Sequence, residues 1–303
     1  MSYVNTRWEM PPSASDYEQA DPEGRGNYGI MALVQNPSRD TLRRAASLTG
    51  LSEDQLKNDR ASNIEGGAAL LSDILGATKP KSLDGWQEAV AAYADTDLYA
   101  NEVYGILKSG ASKAISTGES VSLSPQDVTV PQIYTAQATA DYPRSVWRKA
   151  ASSNFTGSNR EASYNINRVI IHVAQGSYSG TINWFQTSGA SVSAHYVVSR
   201  KGGISQCVRN KGIAWHAGNW SYNCHSIGIE HAGYVSNPGS FTRRMYRASA
   251  RLTAWCCKRH HIPISRRRII GHNQVPGSDH TDPGRYWDWN KYIRFVKYYR
   301  RRL

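Results

Sequence analysis

The segment Gly271-His272-Asn273-Gln274-Val275-Pro276-Gly277-Ser278-Asp279-His280-Thr281-Asp282-Pro283-Gly284 places two imidazoles and a carboxylate within eleven residues. Its Pro and Gly residues favour turns over helix. Upstream, the apolar run Val169-Ile170-Ile171 ends in His172, and a second, Ile227-Gly228-Ile229, ends in Glu230. Imidazoles and carboxylates in this number are the donor set of a hydrolytic zinc site. Such a metal takes three N/O ligands and leaves a fourth position for water. A carboxylate outside the coordination sphere then takes the water's proton. Taken singly, each residue has a structural reading as well: a packed histidine after a strand, an Asp-Pro-Gly turn, a Glu that is the first solvated residue past a core.

Strands are expected at 166–173, 194–199, 204–209, 226–231 and 267–271, with Arg200-Lys201-Gly202-Gly203 as a hairpin turn. Helices are expected at 179–188, 240–260 and 286–300. This alternation predicts an α/β domain with a central mixed sheet flanked by helices, the candidate residues lying at one edge of the strand ends. The first 110 residues read as an all-α domain. Ser38 is expected to cap a run with Leu42, Ala45 and Leu48 that stops at Gly50. Ser52-x-x-Gln55 and Ser62-x-x-Glu65 look like capping boxes. Ile64, Ala68, Leu71 and Leu75 form an inward stripe, and Asp84 and Asp97 open two further helices with Trp86, Val90, Tyr93, Val103 and Leu107 inward. The predicted domains are therefore 1–110, a linker and lead-in over 111–160, and 161–303. The linker is inferred from the Ser, Thr, Gly, Ala and Gln content around Pro125 and Pro131.

Residues 142–303 resemble the zinc-dependent N-acetylmuramoyl-L-alanine amidases of actinobacterial type, related in fold to the peptidoglycan recognition proteins. The resemblance rests on Val169-Ile170-Ile171-His172, Ser193-Ala194-His195-Tyr196, Ala214-Trp215-His216-Ala217-Gly218-Asn219-Trp220, Ser226-Ile227-Gly228-Ile229-Glu230-His231, Gly271-His272-Asn273 and His280-Thr281-Asp282-Pro283-Gly284. It implies Zn2+ held by His172, His272 and Asp282, catalytic Glu230, and His280 as a donor to the oxyanion. It further implies a substrate-binding groove lined by Trp215, His216, Asn219 and Trp220, with His195 beside the metal as a fifth substrate-binding residue. The expected reaction is hydrolysis of the amide between N-acetylmuramic acid and L-alanine. One departure concerns the rim of the cleft: some similar sequences carry a long Gly- and Cys-rich insert before His-Thr-Asp, and here only Ser278 and Asp279 stand there.

The first domain more weakly resembles lysozyme-like lytic transglycosylases, through Tyr28-Gly29-Ile30-Met31 and Asn63-Ile64-Glu65-Gly66-Gly67-Ala68-Ala69-Leu70-Leu71. Glycan cleavage needs a protonated carboxylic acid over the scissile oxygen. Asn5 stands where that acid is expected, and Glu9, Glu18 and Glu23 follow in a Pro/Ser/Asp/Gly-rich loop. The domain therefore reads as degenerate, with glycan binding as its expected residual role.

Charge is unevenly spread. Residues 1–150 hold 14 Lys and Arg against 19 Asp and Glu, net −5, whereas residues 151–303 hold 22 against 5, net +17. A basic half rich in aromatics suggests an acidic polymer, either nucleic acid or an anionic wall polymer. No recognition-helix pattern, Cys-His finger or RNA-binding aromatic motif is present, so nucleic acid is not expected. Peptidoglycan and anionic cell-wall polymers are the expected partners. No stretch is apolar enough for a membrane span, and no signal-like apolar region follows Met1. The expected setting is secreted or wall-associated, as a processed autolysin or a phage lysin. Cys207, Cys224, Cys256 and Cys257 leave bridging open, but without Cys-x-x-Cys they do not suggest a thiolate zinc site. Two further classes stand against the amidase. A non-catalytic recognition module would need neither the full ligand set nor Glu230, and a glycan-cleaving first domain would need the missing acid.

Overall fold

A computed structural model describes the chain except residues 16, 18–24, 133–138 and 158–159 and the side chain of Glu161. The chain forms two compact units, one within residues 1–134 and one within 135–303. The expected linker over 111–160 is thereby corrected. Residues 111–114 and 120–123 form an antiparallel hairpin. Past it, Gln126 N donates to Leu107 O at 2.9 Å, Asn101 Nδ2 donates to Pro131 O at 2.7 Å, and Val128 is buried. Polar composition suggested a tether, but the buried Ile115 and Val128 and hydrogen bonds to its backbone fix this segment to the first unit. Residues 142–160 belong to the second.

The first unit is not all-α. It comprises α1 (Ser2–Thr6), β1 (Asn27–Tyr28), β2 (Leu33–Asn36), β3 (Arg39–Asp40), α2 (Thr41–Thr49), α3 (Glu53–Asn58), α4 (Arg60–Leu75), α5 (Gln87–Ala94), α6 (Asp97–Ser109), β4 (Ala111–Ala114) and β5 (Ser120–Leu123). Strands β1–β2–β3 form an antiparallel sheet. The Ser52/Gln55 capping box is present. Asp40, rather than Ser38, caps α2, and Asp59, rather than Ser62, caps α4. The buried face of α4 is Asn63, Gly66, Gly67 and Leu70, not the Ile64/Ala68/Leu71/Leu75 stripe. The two glycines explain the rotation. A Cβ on Gly67 would lie 2.7 Å from Met31, and one on Gly66 would lie 2.7 Å from Leu56. α4 thus approaches through backbone, and Asn63 braces the facing loop by accepting from Met31 N at 2.8 Å and donating to Tyr28 O at 3.2 Å.

The second unit comprises β6 (Val146–Trp147), β7 (Phe155–Thr156), β8 (Arg168–Ile171), α7 (Tyr178–Gln186), β9 (Tyr196–Val198), β10 (Ile204–Gln206), β11 (Ile213–Ala214), α8 (Trp220–His225), β12 (Ser226–His231), α9 (Arg243–Arg259), β13 (Ile269–Gly271) and α10 (Trp289–Arg300). Its six-stranded sheet has the order β13-β8-β12-β9-β10-β6. Pairing is parallel from β13 to β9 and antiparallel between β9 and β10, so the sheet is mixed as expected. The hairpin turn closes with Ser199 N donating to Gly203 O at 2.8 Å. One face packs Val169, Ile171, Ile227 and Ile229 against α9 and α10. The other face carries Ile170 and Ile270 and leads to the candidate site. All four cysteines are buried thiols without disulfides.

Candidate metal centre and active site

Three adjacent parallel strands deliver the site. β8 pairs with β12 at Ile171↔Ile229 and with β13 at Ile171↔Gly271. The next position on each strand is His172, Glu230 and His272. In-register neighbours on parallel strands share a face, so these side chains converge at the C-terminal end of the sheet. His172 N donates to Ile229 O at 3.0 Å and His231 N donates to His172 O at 3.1 Å, which carries the pairing through the site. The apolar runs before each residue are buried strands, and the polar residue appears where each strand emerges from the core.

Asp282 comes from the loop after β13. Asn273 N donates to its carbonyl at 3.0 Å, and Val173 N donates to its Oδ2 at 3.1 Å. His272 Nδ1 lies 3.2 Å from Asp282 Oδ1, and His172 Nδ1 lies 3.6 Å from Asp282 Oδ2. One donor atom from each of His172, His272 and Asp282 falls within 4.8 Å of the others, and all three residues are buried. Tetrahedral ligands at about 2.0–2.1 Å from zinc stand about 3.3 Å apart, so the spacing fits a zinc-sized ion.

The tautomer of His172 follows from a chain of hydrogen bonds. Tyr222 O can only accept, so Ser226 Oγ donates to it at 2.6 Å. Ser226 Oγ then accepts from His216 Nε2 at 3.2 Å. That leaves His216 Nδ1 bare to accept from His172 Nε2 at 3.0 Å. His172 Nδ1 therefore carries a lone pair, is buried, and has no hydrogen-bond partner. An orphaned acceptor beside a carboxylate and a second imidazole fits a metal ligand. Burial, then the nearby His272 and His216, hold His172 well below its ordinary pKa, so the ring is neutral at neutral pH. Gly228 makes the chain possible, because a Cβ there would lie 2.5 Å from His216 Cγ.

His280 stacks on His272, with centroids 4.2 Å apart, and its Nδ1 is 4.0 Å from Asp282 Oδ1. It is partly exposed, so it can reach a bound molecule. Glu230 is buried at 7% exposure. The expected groove needs correction. His216 is 1% exposed and serves His172 rather than a ligand. His195 is fully buried, its Nδ1 accepting from Gly228 N at 3.0 Å, so it braces β9 against β12 and touches no substrate. Asn219 caps α8, accepting from Tyr222 N at 3.2 Å, and donates to Pro276 O at 3.1 Å. Trp215 is partly exposed, with its indole N–H on Thr156 Oγ1 at 3.0 Å. Trp220, 54% exposed, is the member of this group most open to a ligand.

Several supporting residues carry no sequence signal. Arg160 is buried; its Nε donates to Asn210 O at 2.7 Å and its Nη1 to Asn223 O at 2.9 Å and Ser226 O at 2.7 Å. It thereby ties the segment before β11 to the start of β12. His231 Nδ1 donates to His172 O at 2.8 Å and its Nε2 accepts from Ser249 Oγ at 2.7 Å. Its place directly after Glu230 was visible in the sequence, but its support of His172 was not. Burial pushes the Cys207 thiol up to about 12, which leaves it protonated and unsuited to bind metal.

Comparison with known proteins bears on the same segment. The profile of the family Amidase_2, described as N-acetylmuramoyl-L-alanine amidase, matches residues 162–285. N-acetylmuramoyl-L-alanine amidase A of Achromobacter lyticus is 37% identical over 175 residues, covering 52% of this chain and 95% of that protein. The 1,6-anhydro-N-acetylmuramyl-L-alanine amidase AmpD of Haemophilus influenzae is 38% identical over 112 residues, covering 35% of this chain and 59% of that protein. A crystal structure of an AmpD selenomethionine derivative shares 25% identity at a TM-score of 0.42, covering 54% of this chain and 99% of that one.

Proposed function

The chain belongs to the N-acetylmuramoyl-L-alanine amidase family, and from that premise we propose that it hydrolyses the amide between N-acetylmuramic acid and L-alanine in peptidoglycan, with zinc held by His172, His272 and Asp282. The observation that carries the zinc assignment is the buried, bare Nδ1 of His172, aimed at Asp282 by the His216–Ser226–Tyr222 chain. A zinc ion there supplies Lewis acidity, polarising a carbonyl oxygen and bringing the pKa of water from 15.7 towards about 7.

The remaining work falls to the protein. Glu230, in register beside His172, takes the proton of the attacking water as its oxygen bonds to the lactyl carbonyl carbon. His280 donates towards the developing oxyanion. Glu230 then returns the proton to the L-alanine nitrogen as the C–N bond breaks. The products are a free muramoyl carboxyl group and a free peptide amine. Trp220 and Trp215 offer aromatic surface to the sugar or stem peptide.

The first unit reads as a degenerate lysozyme-like module that does not cut glycan. Asn5 is buried, donating to Ile30 O at 3.3 Å, and cannot act as an acid. Glu9 pairs with Lys113 and accepts from Ser116 N at 3.1 Å; these bonds outweigh its burial and hold it below the usual carboxylate range, the wrong state for a general acid. Glu18 and Glu23 lie outside the described residues. The site of action is the cell wall, for an exported autolysin or a phage lysin. Mass spectrometry of digested peptidoglycan tests the reaction. Stem peptides with free L-alanine amino termini are expected, and products cut only at glycosidic bonds would overturn the reading.

A further inference from the structure

Away from the metal centre, the second unit has an open cavity of about 390 Å³ lined by Tyr142, Arg144, Arg251, Trp255, Tyr298, Tyr299 and Arg302. It lies at the other end of the sheet. β8, β12 and β13 are parallel and end at the metal group; α9 connects β12 to β13 and therefore runs back. Arg251 and Trp255 are eight and twelve residues into α9, about 12–18 Å down its axis at about 1.5 Å per residue. The lining brings three guanidinium groups together, and among the described residues no Asp or Glu side chain contributes to it. Leu303, on the rim, has its carbonyl oxygen on Lys258.

Aromatic rings hold two of these cations. Arg251 lies over the Tyr299 ring at 4.7 Å and Arg302 over the Tyr298 ring at 3.7 Å. Tyr142 packs on Trp255 with centroids 5.3 Å apart. Arg302 Nη1 also donates to Tyr298 O at 3.1 Å; a guanidinium held over a ring keeps its remaining N–H groups for donation to a planar or tetrahedral oxyanion. The volume lies within the range of small-ligand sites, about 300–1,000 Å³, and holds more than one isolated phosphate.

We propose that this cavity is a second binding site, an exosite for a phosphodiester group of an anionic cell-wall polymer of the polyol-phosphate kind. The identification of the polymer as a wall component rests on the function proposed above; the preference for a phosphodiester rests on the arginines alone. The site tethers the enzyme to phosphate-bearing wall while the metal centre, at the opposite end of the sheet, works on the stem.

The test uses the full chain carrying Glu230→Gln, so that binding is read without hydrolysis. Sedimentation with purified walls is compared before and after chemical removal of phosphodiester polymers. Glycerophosphoglycerol is the soluble probe in calorimetry, with a single-stranded oligonucleotide as competitor. Arg251→Gln/Arg302→Gln is expected to weaken binding to intact walls and to the probe at least tenfold, and to leave binding to stripped walls unchanged. The charge-matched control Arg243→Gln/Arg267→Gln, both exposed and outside the cavity, is expected to change probe binding less than twofold. Should the double variant melt early, Arg251→Lys/Arg302→Lys keeps the charge, loses the fork and is expected to lose most probe binding. Equal losses for the cavity and control variants would reduce the effect to net charge and overturn the site. So would unchanged probe binding, or an oligonucleotide that binds more tightly than the probe. Hydrolysis of a soluble muramoyl peptide by the Arg251→Gln/Arg302→Gln enzyme with Glu230 intact reads the amidase separately: its presence beside a failed exosite, or its absence beside a working one, tells the two proposals apart.

Discussion

Replacing His216 by Phe keeps a ring of similar size against His172, whose centroid is 5.0 Å away, and removes only the nitrogens. In the parent, His172 Nε2–H has an acceptor and Nδ1 is left bare. In His216→Phe, Nε2 has none. The stable tautomer then places the proton on Nδ1, facing Asp282 Oδ2 at 3.6 Å. Zinc binding must move that proton back to a buried and unpartnered Nε2, at the cost of about 1–3 kcal/mol for an unsatisfied buried donor. At about 1.4 kcal/mol per tenfold, the zinc Kd rises about 5- to 150-fold, in the range seen when an outer-shell partner is lost. Competition against a chromogenic chelator at pH 7.5 measures it. Activity at saturating zinc is expected to recover most of its parent value, because neither Glu230 nor His280 is touched. Gly228→Ala is expected to give the same loss by displacing His216, since its Cβ would meet His216 Cγ at 2.5 Å. The double variant should be little worse than either alone. A zinc Kd within twofold of the parent for His216→Phe, in protein with a normal melting profile, would refute the tautomer chain.

Metal-replete protein is expected to hold about one zinc per chain by elemental analysis, and His272→Ala to lose it on dialysis; retention would place the metal elsewhere. Glu230→Gln is expected to keep zinc while its hydrolysis falls on the order of 10²–10⁴-fold, and more than about a tenth of parent activity would assign the proton transfer to another group. Burial lowers His231 to about 4 in the folded chain. The unfolded chain takes up that proton near 6.5 and the folded one does not, so His231 carries no penalty above pH 6.5 and destabilises progressively from there to pH 4, by about 3 kcal/mol at most at about 1.36 kcal/mol per unit. Urea midpoints at pH 7.5 and 4.5 measure this, and His231→Gln should show a shallower decline; identical slopes would remove His231 as the cause. The Glu230→Gln chain is expected to release neither anhydromuramyl nor new reducing-end sugars from peptidoglycan, and their appearance would give the first unit a catalytic acid.

The sequence by itself determined the donors and where each would emerge. Apolar runs that end abruptly in His172 and Glu230 are buried strands whose C-terminal ends carry the first polar residue, itself still buried, and that is a local property. The Pro- and Gly-rich segment from Gly271 to Gly284 likewise announced a loop able to bring Asp282 back to His272. Five strands and three helices of the second unit follow from short-range periodicity. What only the tertiary structure decided is which faces meet. His216 reaches His172 across 44 residues of sequence, and it does so because the β8–β12 register sets Gly228 under its ring. The same motif without that register reads as a groove, which is how His195 and His216 came to be expected at the substrate. In the first unit, the buried side of α4 was misread because glycines invert the usual rule: the face with the smallest side chains approaches most closely. The segment 111–131 looked like a tether because composition cannot reveal backbone hydrogen bonds to distant helices. The arginine cavity gathers residues from both ends of a stretch running from 142 to 302, and only the packing of α9 against α10 makes neighbours of them.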